Sequence, residues 1–229
     1  MKHLLTILTI IVMGSFVSNA LASDVYITQS GASFTANINQ DGQTNRYGVS
    51  GTVVTHTGDN QTLDIDQIGN SNTIAGSVIG ADQTITTRQA GNSNTSTVNV
   101  GTNSAASDNS IIQTLTGNSN TTTINVGTSA SSGDADIDLV ATGNSNTVTI
   151  NENSTATMQS NDKKVTAVTL IGSSNTVTTT HAGAGDHDTT LHHTGSSGTF
   201  AITQDGIHDT NVTMTTVGAS HSVTVTIDD

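Results

Sequence analysis

The chain is predicted to be all-β, a solenoid of stacked strand-turn-strand coils with about 22 residues per coil. Three observations predict it: a recurrent glycine phrase, two-residue alternation of apolar side chains between the glycines, and a composition too polar for an ordinary core. Gly69-Asn70-Ser71-Asn72-Thr73 returns at 91–95, at 117–121 and at 143–147, and in modified form as Gly172-Ser173-Ser174-Asn175-Thr176. Single glycines keep a finer beat at Gly31, Gly42, Gly58, Gly69, Gly80 and Gly91, and again at Gly172, Gly183, Gly195, Gly206 and Gly218. A fixed internal period means one unit stacked on copies of itself.

Between the glycines the pattern is that of half-buried strands. Leu63, Ile65 and Gln67 alternate before Gly69, and Phe200, Ile202 and Gln204 before Gly206. Asn146, Val148 and Ile150 follow Gly143, and His221, Val223, Val225 and Ile227 close the chain. Period two marks a strand with one face turned inward. The glycines are expected at tight turns, where they supply positive backbone dihedrals. Roughly eight coils, about 4.8 Å apart, would make a rod about 40 Å long.

Composition supports a thin, layered body. Only 32% of the 229 residues are hydrophobic and 2% aromatic, too few for a globular core of this length. Charged residues are only 10%, and β-branched residues abound, which is not the signature of disorder. Proline is absent, as expected where nearly every backbone N–H is needed in a ladder. Cysteine is absent too, which excludes a disulfide framework and thiolate chemistry.

Residues 1–22 read as a cleaved signal peptide: Met1-Lys2-His3, an apolar run from Leu4 to Val17, and Ala20-Leu21-Ala22 as the small-x-small cleavage pattern. The run is too short and too rich in Thr and Ser for a membrane anchor. Residues 23–229 form the repeat domain. The formal charge is −13, or −14 once Lys2 is removed. Such an acidic chain lacks the cationic footprint of nucleic-acid binding, and no second segment calls for membrane insertion.

The repeat also places its amides. Two residues before the glycines stand Gln29, Gln40, His56, Gln67, Gln89, His181, His193, Gln204 and Thr216. Three residues after them stand Asn45, Gln61, Asn72, Gln83, Asn94, Asn120, Asn146 and Asn175. A buried carboxamide must be hydrogen-bonded, and identical amides stacked at the strand spacing satisfy one another. The five Gly-x-Ser-Asn-Thr copies are expected along one edge of the rod. The inserts 102–109, 128–134 and 151–164 are expected along the other.

Gln-x-Gly-x-x-Asn, preceded by alternating apolar residues, resembles the curlin repeat of curli, the extracellular functional amyloid of bacterial biofilms. The motif is complete at Gln40/Gly42/Asn45, Gln67/Gly69/Asn72 and Gln89/Gly91/Asn94. It is partial at Gly117/Asn120, Gly143/Asn146 and Gly172/Asn175, where Leu115, Ala141 and Leu170 replace the Gln, and Gln204/Gly206 keeps the first half. The resemblance runs from about Val25 to the C-terminus. It implies a secreted subunit that polymerises with itself on the cell surface for adhesion and matrix scaffolding, served by a nucleator and outer-membrane export factors. The segment that family members carry between leader and first repeat has no counterpart here, since Val25-Tyr26-Ile27-Thr28-Gln29 is already strand-like.

No catalytic residue, cofactor or metal site is expected. His181, His187, His192, His193, His208 and His221 gather near the C-terminus, but at ladder and turn positions rather than in a ligand motif. His181 and His193 share the Gln position, where protonation near the usual pKa of about 6.5 would tune assembly. Asp64, Asp66, Asp134, Asp136 and Asp138 lack the Gly-Gly-x-Gly-x-Asp calcium pattern. No Ser/His/Asp set sits in a nucleophile-elbow context. The alternative to a fibre subunit is a monomeric Thr-rich solenoid that binds ice or another surface, on rows such as Thr176 to Thr180 and Thr213 to Thr216. The inserts count against a long regular face of that kind.

Overall fold

A computed structural model describes residues 23–25, 27, 29–41, 45–48, 54–69, 71–80, 82–91, 93–101, 108–117, 119–127, 134–153, 163–182, 186–206 and 209–228. The expected leader, Gly42, Gly183 and His208 lie outside them, as does most of each insert.

The described residues form strands and the turns that join them. In chain order these are β1 (Ser23–Asp24), β2 (Gln29–Ser30), β3 (Phe34–Asp41), β4 (Asn45–Arg46), β5 (Val54–Thr57), β6 (Gln61–Ile68) and β7 (Ile74–Ile79). Then come β8 (Thr84–Ala90), β9 (Ser93–Val100), β10 (Asn109–Thr116), β11 (Ser119–Val126), β12 (Ala135–Thr142) and β13 (Ser145–Asn153). The last are β14 (Lys163–Ile171), β15 (Ser174–Ala182), β16 (Asp186–Thr194), β17 (Ser197–Asp205), β18 (Thr210–Val217) and β19 (His221–Asp228). Alternate strands build two parallel sheets. One runs β3-β6-β8-β10-β12-β14-β16-β18, and the other β2-β5-β7-β9-β11-β13-β15-β17-β19. β1 and β4 pair beside them.

The solenoid expected from the repeat is thus present. The coil length is corrected. A 22-residue step holds where Leu63 pairs with Ile85, and 23 residues separate Thr166 from Thr189. Through the middle the step is 26 residues, Ile111 to Ile137, and it reaches 29 from Ile137 to Thr166. The extra residues lie in the loops after β9, β11 and β13, all on one edge, while the Gly69, Gly91, Gly117, Gly143 and Gly172 turns form the other. The inserts are shorter than read from composition, because Asn109 opens β10, 151–153 close β13 and Lys163 opens β14.

Inward and outward positions alternate along the strands. Phe34, Ala36, Ile38 and Gln40 are buried on β3, and Ser119, Asn120, Thr121 and Thr122 alternate out and in on β11. The core between the sheets is one row of aliphatic side chains per position, including Ile65, Ile85, Ile111, Ile137, Ile124, Ile150 and Ile202.

The turn glycines are required for two different reasons. Gly31, Gly58, Gly80, Gly206 and Gly218 have φ between 138° and 144°, a region that L side chains avoid. At four of these turns the chain is then reversed by Ser33, Asn60, Asp209 or Ser220 in the left-handed region, which short polar side chains tolerate best. Gly91, Gly117, Gly143, Gly172 and Gly195 lie outside the positive range, which corrects the expectation of a common dihedral cause. Their constraint is space: a Cβ at Gly117 would lie 1.7 Å from the Gly91 carbonyl oxygen, and one at Gly143 1.9 Å from that of Gly117. Each of these turns continues the ladder, with Gly91 N–H donating to Thr116 O and Gly117 N–H to Thr142 O at 2.8 Å.

Gly117→Ala is expected to destabilise the solenoid by about 3 kcal/mol or more, since two layers must part to admit the methyl group. Chemical denaturation followed by far-UV circular dichroism measures it, with Thr116→Ala as the neighbouring control.

Candidate functional site: amide ladders and an open terminal coil

The glycine edge carries two ladders. The first begins with Gln40, Gln67 and Gln89, in register on adjacent layers. Gln67 Nε2 donates to Gln40 Oε1 at 2.7 Å, and Gln89 Nε2 to Gln67 Oε1 at 3.0 Å. Each also staples its own turn: Gln67 Nε2 reaches Thr73 O at 2.9 Å and Gln89 Nε2 reaches Thr95 O at 3.0 Å. The six-residue span explains why Gln, Gly and Asn recur at fixed offsets. Beyond Gln89 the row continues as Leu115, Ala141, Leu170, His193 and Thr216.

The second ladder is Asn45, Asn72, Asn94, Asn120, Asn146 and Asn175, all buried. Asn72 Nδ2 donates to Asn45 Oδ1 at 2.8 Å and Asn94 Nδ2 to Asn72 Oδ1 at 2.5 Å. Later the donation runs the other way, Asn120 to Asn146 at 2.6 Å and Asn146 to Asn175 at 2.7 Å. The reversal leaves the Asn94 and Asn120 carbonyl oxygens unpaired. The row ends at Gly198, where a Cβ would sit 2.3 Å from the Phe200 ring.

Gln204, Gly206 and Gln29 do not join these rows. They lie on the loop edge, in a row that reads Gln29, His56, Val78, Val100, Val126, Glu152, His181, Gln204 and Ile227. His181 and His193 therefore occupy opposite edges, which corrects the expectation of a shared position.

This second row contains a buried ionisable cluster that sequence reasoning missed. Glu152, Lys164 and His181 are wholly inside. Glu152 Oε2 is 2.6 Å from His181 Nδ1, and Thr166 Oγ1 donates to Glu152 Oε1 at 3.0 Å. Thr189 Oγ1 is 3.0 Å from His181 Nε2, and Gln204 Nε2 donates to Thr189 Oγ1 at 3.4 Å. With the imidazole proton on Nδ1, every bond has a donor: Gln204 to Thr189, Thr189 to His181, His181 to Glu152. Lys164 Nζ donates to Ala182 O at 3.0 Å. The missed signal was the alternation itself, since Glu152 is the next inward position after Val148 and Ile150.

His56 is the other buried histidine set in an aromatic clasp. Its ring stacks on Phe34 at 4.9 Å and bonds the Tyr47 hydroxyl. Loss of water pushes its pKa down to about 4 and raises that of Tyr47. Burial, then the neighbouring His221, lowers that of His193. Outside, Asp64 and Asp136 are pushed up by desolvation and then by Asp66 and Asp138. The Arg88–Asp66 pair, 3.6 Å apart and largely exposed, contributes little.

The last coil differs from the rest. Val223, Val225 and Ile227 face inward by register over Phe200, Ile202 and Gln204, yet are 48%, 43% and 50% exposed. β18 and β19 each pair on one side only. No family model, curated protein or solved structure matches the chain.

Two outcomes are expected. Glu152→Ala strands His181 and costs about 3–5 kcal/mol, whereas the double change Glu152→Val with His181→Leu restores most of it, as denaturation midpoints will show. The His56 pKa is lower folded than unfolded, so its contribution is complete above about 6.5 and is lost as pH falls towards 4. His56→Gln, the residue found at Gln29 and Gln204 of the same row, should flatten that part of the stability–pH curve.

Proposed function

We propose that this chain is a secreted structural subunit of a curli-like extracellular fibre, growing by end-to-end stacking of its own coils for cell adhesion and biofilm matrix. The carrying observation is the uncovered inner row Val223, Val225 and Ile227 on a coil whose two strand edges are unpaired. A parallel edge with its apolar row bare is a template for another strand of the same pattern. The first described coil offers that pattern: Phe34, Ala36, Ile38 and Gln40 alternate along β3 as Thr210, Val212, Met214 and Thr216 do along β18. The partner is thus a second copy of this chain. The Gln-x-Gly-x-x-Asn motifs support the same reading, and the expected leader supports passage out of the cell, where export factors and a nucleator would act.

A self-stacking subunit is stopped by a charge on the bare row. The mature chain should form filaments after a lag, while Val225→Lys should lengthen that lag at least ten-fold, as read by light scattering and electron microscopy. Thr84→Lys, on an outward position, should elongate normally. Equal growth of wild type and Val225→Lys would contradict the proposal.

A further inference from the structure

The two outer faces of the solenoid are chemically unlike. The face of the β3-to-β18 sheet carries Asp64, Asp66, Arg88, Asp136, Asp138, Asp188 and His192, interspersed with Ile112 and Val140. On the opposite face, from β9 to β15, every described outward side chain is uncharged, and none is aromatic.

What stands there is a lattice. The outward residues read Ser93, Thr95, Thr97, Asn99 on β9, then Ser119, Thr121, Thr123, Asn125 on β11. They read Ser145, Thr147, Thr149, Asn151 on β13 and Ser174, Thr176, Thr178, Thr180 on β15. The strand pairing puts like on like without a slip, Thr95 to Thr121 to Thr147 to Thr176 and Thr97 to Thr123 to Thr149 to Thr178. Asn125 Nδ2 donates to Asn99 Oδ1 at 2.8 Å, and Asn151 Nδ2 to Asn125 Oδ1 at 2.9 Å, so this boundary row is itself tied. The insertions that vary the coil length leave this array intact, because they leave from the loop edge. This overturns the objection that the inserts interrupt any regular face.

Such a face has fixed repeats in two directions: about 4.8 Å between strands and about 6.7 Å between alternate residues along one. The threonine side chain is stiff at χ1 and the backbone beneath it is bonded on both sides, so hydroxyls and methyls are held in place before any partner arrives. A single small molecule or a flexible polymer can meet one row at most. No charge on the face selects an ionic partner, and no aromatic ring is present to stack on a sugar. A partner that repeats in two dimensions, is neutral, and both donates and accepts hydrogen bonds at each node is a crystalline water surface.

We propose that the Ser/Thr/Asn face of β9, β11, β13 and β15 binds ice. The site is the flank of the solenoid, separate from its end, so it stands whether or not the chain polymerises. A hydroxyl array that seats on a growing ice plane stops that plane from advancing.

The test is ice-recrystallisation inhibition by the mature chain, compared with Thr121→Tyr and Thr147→Tyr on the face and Thr84→Tyr on the opposite one. Circular dichroism confirms folding, and filament growth is followed in the same samples. Wild type and Thr84→Tyr should inhibit at equal concentration, and each face variant should need at least ten-fold more. Two results overturn the proposal: no inhibition by the folded wild type, or equal potency of all four proteins. A third also overturns it: face variants that inhibit normally but separate laterally paired filaments would make the face a contact between copies. Since filament growth depends on Val225 and not on Thr121, loss of one property leaves the other measurable.

Discussion

The glycine edge leaves no room for a side chain, and the rest of the molecule follows from that. Layers bonded at the strand spacing bring each turn carbonyl to within 1.5–1.9 Å of where the next turn glycine's Cβ would be, from Gly91 through Gly195. Only a bare backbone can pass, so the turn N–H groups stay in the ladder and the sheets continue around the bend. Register is then fixed at one edge, and variation is pushed to the other. That is why loops of different length enter after β9, β11 and β13 without disturbing the stacking of like residues.

The interior is narrow, so polar side chains must sit beside aliphatic ones. Near the glycine edge the problem is solved by repetition: Gln40, Gln67 and Gln89 bond along the axis and to their own turns. Near the loop edge it is solved once, by Glu152, His181, Thr166, Thr189 and Gln204. The first device is tolerant, as Leu115, Ala141 and Leu170 show by replacing Gln where the row turns apolar. The second is not, since removing one member leaves a buried charge or an unmatched imidazole.

Much of this was legible in the sequence. Period-two alternation gave the inward rows, and the Gly-x-Ser-Asn-Thr phrase gave the shared edge. Coil length was not legible through the middle, because an insert rich in Ser and Ala shows no marker of where a strand resumes; Asn109 and Lys163 both belong to strands. Nor could spacing from glycine tell one edge from the other. It placed His181 beside His193 and Gln204 beside Gln89, although alternate turns face opposite ways. The Thr lattice was hidden for a related reason: its rows are continuous only after the 22- to 29-residue steps are aligned by pairing.

The ends and flanks then divide the roles. The flank is neutral and complete, and the last coil is apolar and incomplete, so growth along the axis is the association the fold leaves open. Cryo-electron microscopy of filaments from the mature chain tests this most directly. Stacked coils predict strands perpendicular to the axis at about 4.8 Å and a subunit repeat of about 40 Å, set by the layers of one chain. Filaments whose subunit repeat is a single layer, with each chain flat and identical segments stacked between molecules, would contradict it.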